Sequence, residues 1–220
     1  MKTQHDNREL PSRFSNLVLL CCAGLVLAST QARASEDKPD YPVTVEVFAP
    51  AKGDHAGIGG RGWFIDLAII YDTPLANTGF TGFQLTGPAA HNNIAPMPGT
   101  FSVGADDRLP GLVVLLSTTT AGAGSCQNIA NLFNLTGVTN TTADSTELWD
   151  TWIVGAPSFG VNTESTLYVA VADDLNADGI FNDAPNVVVD SNGDGHCDKK
   201  DLKAMGVASS VKKVEFFINP

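Results

Sequence analysis

An all-β fold, an antiparallel β-sandwich, follows from three features of the chain. It holds seven or eight short runs of strand-like composition, Gly, Pro, Asn and Ser clusters stand between them, and no long amphipathic helix interrupts the series. Ahead of these runs come Lys2, Arg8 and Arg13, an apolar run over 17–27, and Ala32-Arg33-Ala34. A basic start, a short apolar centre and a small-residue exit read as a secretory signal peptide, residues 1–34, cleaved after Ala34. The apolar run is too short for a membrane span, and no later segment could serve as one, so no transmembrane segment is expected after cleavage. Residues 35–220 number 220 − 34 = 186, enough for a single domain with its own core.

The first strand is the alternating stretch Val43-Thr44-Val45-Glu46-Val47-Phe48, in which every second side chain can face a core. Further strands are expected over 63–71, 82–85, 112–118, 146–154, 166–172, 186–189 and 212–218. Trp149 and Trp152 are three apart, so they cannot share one face of a strand and at least one belongs to the core. Helix is expected over 127–133 and over 199–205, the second stopped by Gly206.

The whole chain has 13 Lys and Arg against 24 Asp and Glu, a net charge of −11. Cleavage would remove four cations and two acids, leaving 9 − 22 = −13. Nucleic acid is excluded as a partner, since a surface of this sign repels phosphates. Eight acids fall between Asp173 and Asp201, where only Lys199 and Lys200 oppose them. Such a cluster repels itself unless a cation neutralises it.

Within that cluster, Asp190, Asn192, Asp194, Asp198 and Asp201 stand at positions 1, 3, 5, 9 and 12 of a loop whose sixth residue is Gly195. A hard cation needs six to eight oxygens around a small volume, so the chain must wrap the ion and glycine must make the sharp turn. The backbone carbonyl of His196 would supply the ligand at position 7. A second candidate site starts 190 − 174 = 16 residues upstream: Asp174, Asn176, Asp178 and Asn182 take positions 1, 3, 5 and 9, with Gly179 at position 6. Its position 12 is Pro185, which has no side-chain ligand, so Asp183 would close it out of register or Asp173 would join from the strand end. The alternative for both loops is a solvated Asx turn, which Asp, Asn and Gly form for local reasons alone.

Residues 190–202 resemble an EF-hand or dockerin-type calcium loop, including apolar Leu202 after position 12. The chain departs from that family in two places. Asp201 stands where the family carries a longer glutamate, which implies a one-oxygen contact, and the β-branched run 187–189 precedes the loop in place of an incoming helix. The resemblance implies calcium as cofactor, with an affinity of about 10⁻⁴ to 10⁻³ M, as in extracellular modules. Two such loops so close together are also similar in pattern to thrombospondin type 3 segments. A second resemblance rests on Asp106-Asp107-Arg108-Leu109, Asn131-Leu132-Phe133 and Leu148-Trp149-Asp150, similar in order to spondin N-terminal domains. It implies a C2-like sandwich, as against an immunoglobulin-like one, with a calcium-assisted adhesion or matrix role.

Of four cysteines, Cys21 and Cys22 leave with the signal, so Cys126 and Cys197 are expected to form a disulfide in an oxidising compartment. Other chemistry finds little support. The run Gly57-Ile58-Gly59-Gly60-Arg61-Gly62 has the spacing of a dinucleotide loop, but a strand follows it where that motif needs a helix. Ser125 lacks the second glycine of a nucleophile elbow and reads as an ordinary loop serine.

The leading expectation is therefore a secreted, periplasmic or cell-surface calcium-binding protein that is not an enzyme. Calcium would stabilise a sandwich whose metal segment, 173–206, is inserted before the last strand, and the sandwich would meet an extracellular protein or polysaccharide. The alternatives are a secreted hydrolase with a structural calcium and a dockerin-like assembly module.

Overall fold

The computed structural model describes residues 40–60, 62–80, 110–131, 135–154, 160 and 162–219. The signal-peptide reading, the expected strand 82–85, the motif 106–109, and Leu132 and Phe133 lie outside these residues.

Among the described residues, eight strands form two four-stranded sheets. They are β1 (Val43–Ala49), β2 (His55–Ala56), β3 (Trp63–Tyr71), β4 (Leu112–Leu116), β5 (Leu135–Thr141), β6 (Thr146–Val154), β7 (Thr163–Val171) and β8 (Lys212–Ile218). One sheet runs β1-β3-β6-β5, the other β2-β8-β7-β4. Every pair is antiparallel except the two-residue β2, which lies parallel to β8 with His55 opposite Phe217. This is the all-β sandwich the sequence predicts. The one α-helix among the described residues, α1 (Lys199–Met205), precedes the last strand as expected, and Gly206 ends it at φ 103°.

Alternation places Val43 and Val45 of β1, Ile65, Leu67 and Ile69 of β3, and Leu148 of β6 in one core with Leu112, Val114 and Leu116 of β4, Leu167 and Val169 of β7, and Phe216 and Ile218 of β8. Trp149 is buried on the opposite face of β6 from Leu148. All five residues of β4 are buried, because its other face is covered too. Val113 and Leu115 pack there with Ala170, Val188, Cys197 and Leu202. The acidic segment and α1 therefore form a third layer against the second sheet, and Val188, Cys197 and Leu202 are core residues set in a polar sequence.

Three expectations change. Residues 186–189 do not form a strand; only an isolated antiparallel bridge joins Val187 to Gln127. A β-branched run needs a paired neighbour to become a strand, and here Val188 turns into the second core while Val187 and Val189 face solvent. Residues 135–141, rich in Thr, Gly and Asn, do form β5, because β6 offers a complete edge for them to pair with. Of the expected helix 127–133, the described part is a 3₁₀ turn over Ile129–Asn131. The glycine run at 57–62 leads directly into β3.

Candidate functional site

The two acidic loops project from the third layer, and their hydrogen bonds follow one scheme. In the downstream loop, Asp190 at position 1 accepts from the N–H of Asp194 at 3.3 Å and of Gly195 at 2.7 Å, and also from Gly193 at 2.7 Å. Asn192 at position 3 accepts from Asp194 N–H at 2.9 Å, and Asp194 at position 5 accepts from His196 N–H at 3.0 Å. In the upstream loop, Asp174 accepts from Asp178 at 3.0 Å and Gly179 at 2.7 Å. Asn176 accepts from Asp178 at 2.9 Å, and Asp178 from Ile180 at 2.9 Å.

Position by position, each side-chain oxygen holds the same later amide in both loops. The backbone agrees: Gly179 and Gly195 at position 6 have φ of 84° and 85°, and Ala177 and Gly193 at position 4 have 60° and 70°. These left-handed turns are natural for glycine and costly for alanine.

Closure differs between them. Asp183, at position 10, closes the upstream loop by accepting from the N–H and the side-chain amide of Asn176, both at 2.9 Å. Asn182, proposed for position 9, is exposed beside Gly79, where it leaves no room for a Cβ. Asp201 closes the downstream loop from position 12. It is 1% exposed and accepts from Ser191 N–H at 2.9 Å, Ser191 Oγ–H at 2.7 Å and Asp198 N–H at 2.8 Å. Burial pushes the Asp201 pKa up, but the donors from Asp198 and Ser191 outweigh it and hold the carboxyl below the ordinary 3.8. Asp198 in turn caps α1 through Lys200 N–H, so Asp198 and Asp201 form a reciprocal capping box.

The downstream loop is also tied to the second sheet. Cys126 and Cys197 form the expected disulfide. Ser125, read from the sequence as an ordinary loop residue, is buried and accepts from Cys197 N–H at 3.2 Å. Val188 N–H donates to the Cys126 carbonyl at 2.8 Å. Asn128, which sequence reasoning passed over, is a buried junction: its amide donates to the carbonyls of Leu112 and Pro185, and its side-chain oxygen accepts from Val114 and Ala130. Ser125-Cys126-Gln127-Asn128-Ile129-Ala130-Asn131 carries no local signal that sets Asn128 apart from its polar neighbours.

Among the described residues, no three Asp, Glu, His or Cys side chains converge into a group that would hold a metal ion. The carboxylates are turned toward backbone amides. Their remaining capacity can be counted, since an ionised carboxylate has about four lone-pair sites. Asp190 and Asp201 each receive three donors and keep about one site, 4 − 3 = 1, whereas Asp194 and Asp174 each receive two and keep about two. The free donors are all oxygens, a set that suits a hard cation and not zinc. The histidine of the loop, His196, is exposed.

Among the described residues no helix is long and apolar enough to cross a membrane. No family model, curated protein or solved structure matches this chain.

Proposed function

We propose that this chain is a secreted calcium-binding protein, not an enzyme, in which calcium stabilises the acidic layer of a β-sandwich that serves extracellular binding, adhesion or matrix contact. The observation that carries this reading is the repeated wiring: two loops bend seven-residue stretches around oxygen side chains at positions 1, 3 and 5 in the same way. In the downstream loop Asp190, Asn192, Asp194, Asp198 and Asp201, with the His196 carbonyl, would hold the ion. Calcium would supply neutralisation of carboxylates that otherwise repel one another. Asp174, Asn176, Asp178, Asn182 and Asp183 form the weaker candidate, because Pro185 gives position 12 no ligand. Because Val188, Cys197 and Leu202 belong to the second core, holding the loop in shape also holds the cover of the second sheet, so binding energy becomes folding energy.

Titration calorimetry and thermal melting on the purified protein test this. With a dissociation constant near 10⁻³ M, about 10 mM calcium stabilises one site by about 1.4 kcal/mol over chelator. Asp190→Asn is expected to remove most of that gain, and Asp174→Asn a smaller share. No heat of binding together with an unchanged melting temperature rejects the reading.

A further inference from the structure

Between the two loops lies a groove of about 390 Å³, whose walls are Leu175, Pro185, Val187, Val189, Ala204 and Met205. Leu175, Val187 and Val189 are 50%, 47% and 77% exposed, so three of the five exposed large hydrophobic residues among those described are gathered here. Such a concentration on a surface marks a contact site. Its surroundings are acidic. Asp183 and Asp201 line it, and the loops that form its two sides carry Asp173, Asp174, Asp178, Asp190 and Asp194.

Two of the three lysines of α1 lie away from the groove. Asp201, Ala204 and Met205 face it, and at about 100° per residue Lys199 and Lys203 stand about 160° around the helix from Asp201, whereas Lys200, about 40° from Ala204, borders it as a single cation against the acids of both loops. No aromatic ring lines the groove, which removes the stacking platform a sugar would use. The acidic rim excludes a phosphate-bearing polymer. A small neutral molecule would gain nothing from the rim and would stay half in solvent.

We infer that this groove docks an extended segment of a partner protein that presents an aliphatic anchor flanked by lysine or arginine. The anchor covers Leu175, Val187 and Val189, and the flanking cations meet the carboxylates of both loops, which gives the contact its selectivity for basic segments. This goes beyond calcium binding, since the apolar wall comes from Leu175 and Pro185 of the upstream loop, Val187 and Val189 of the disulfide-tied segment, and Ala204 and Met205 of α1, none of them a proposed calcium ligand.

The probe is a dye-labelled hexapeptide, two leucines flanked by two lysines on each side, followed by fluorescence anisotropy with the purified protein in chelator and in millimolar calcium. Saturable binding in chelator is expected, and weaker binding in millimolar calcium, because the ion neutralises carboxylates that the flanking lysines meet. Binding should weaken on the order of tenfold when glutamate replaces the lysines, when glycine replaces the leucines, and in the Val189→Lys variant. Val189 is exposed enough that the variant folds, and Lys199→Ala, on the far side of α1, should leave binding unchanged. Absence of binding in both buffers overturns the inference. So does equal binding of the glutamate or glycine peptide, which would assign the groove to an apolar ligand or to unspecific charge. Self-association abolished by Val189→Lys, with no peptide binding, would assign it to a second copy and also overturn it. Because the peptide is read in chelator as well, a failed calcium titration and a failed docking test are separate results.

Discussion

The two acidic loops are alike inside and unlike at their edges. Each folds its first seven residues by the same amide-to-carboxylate bonds, yet the upstream loop rests on the first core and the downstream loop on the second. The upstream one is held through Phe181, whose N–H donates to Asn77 and whose ring packs beside Tyr71. Gly111 lets the Phe181 carbonyl pass where a Cβ would collide with it. The downstream loop is fastened four ways: by Asp201, by the cap of α1, by Leu202 in the core and by the disulfide. Local wiring thus follows the shared spacing of Asp, Asn and Gly within each loop, whereas closure differs with the tertiary surroundings.

The largest effect is expected from cutting the strongest fastening. Closing a loop with a sequence separation of 71 removes about 4 kcal/mol of unfolded-state entropy, so the Cys126→Ser, Cys197→Ser double variant should lose about that much in denaturant unfolding. Amide exchange makes the comparison sharper. Gly193 and Gly195 should lose protection in the variant while Asp178 and Gly179 keep theirs; equal loss in both loops would show that the upstream loop has no anchorage of its own.

How much of this could be read beforehand differs by element. Strands β1, β3, β6 and β8 announce themselves because alternation or β-branching coincides with a real pairing partner. Helix α1 does so because Asp198, Asp201 and Gly206 are local signals, and the cysteine pair because only one pairing was open. β5 was hidden, since Gly137 and Asn140 look like turn residues until β6 is beside them. The run 187–189 misled in the other direction, carrying strand propensity with no ladder to join. The positions of loop oxygens were legible from spacing, but Ser191, Ser125 and Asn128 act on atoms 10 to 72 residues away. The third layer was concealed for the same reason, because Val188, Cys197 and Leu202 are scattered through the most charged part of the chain.

Position 4 separates the loops by one methyl group and allows a symmetric exchange. Ala177 sits at φ 60° and Gly193 at 70°, and a Cβ at Gly193 would meet no atom within 4 Å, so the difference is backbone strain alone. A left-handed alanine costs about 1–2 kcal/mol, partly offset by its smaller unfolded-state entropy. Ala177→Gly should therefore stabilise the protein, and Gly193→Ala destabilise it, each by about 1 kcal/mol in denaturant unfolding. A change of the same sign in both variants would break the correspondence between the two turns.

The smallest effect concerns acid and the buried staple. Asp201 has a folded pKa below its ordinary 3.8, so the fold favours its ionised form. Its contribution is then complete above the ordinary carboxylate value and is lost as the pH falls through the lower folded value. In chelator, lowering the pH from 5 to 2.5 should cost the native protein on the order of 2 °C more in melting temperature than it costs Asp201→Asn, since about 1 kcal/mol moves a chain of this size by about 2–4 °C. At pH 5 the variant itself should melt lower, because an amide accepts fewer bonds from Ser191 and Asp198 than a carboxylate does. Parallel acid curves for the two proteins would mean that the downstream loop is closed by α1 and the disulfide, with Asp201 a passenger. The contrast with the upstream loop would then reduce to its anchorage in the second core.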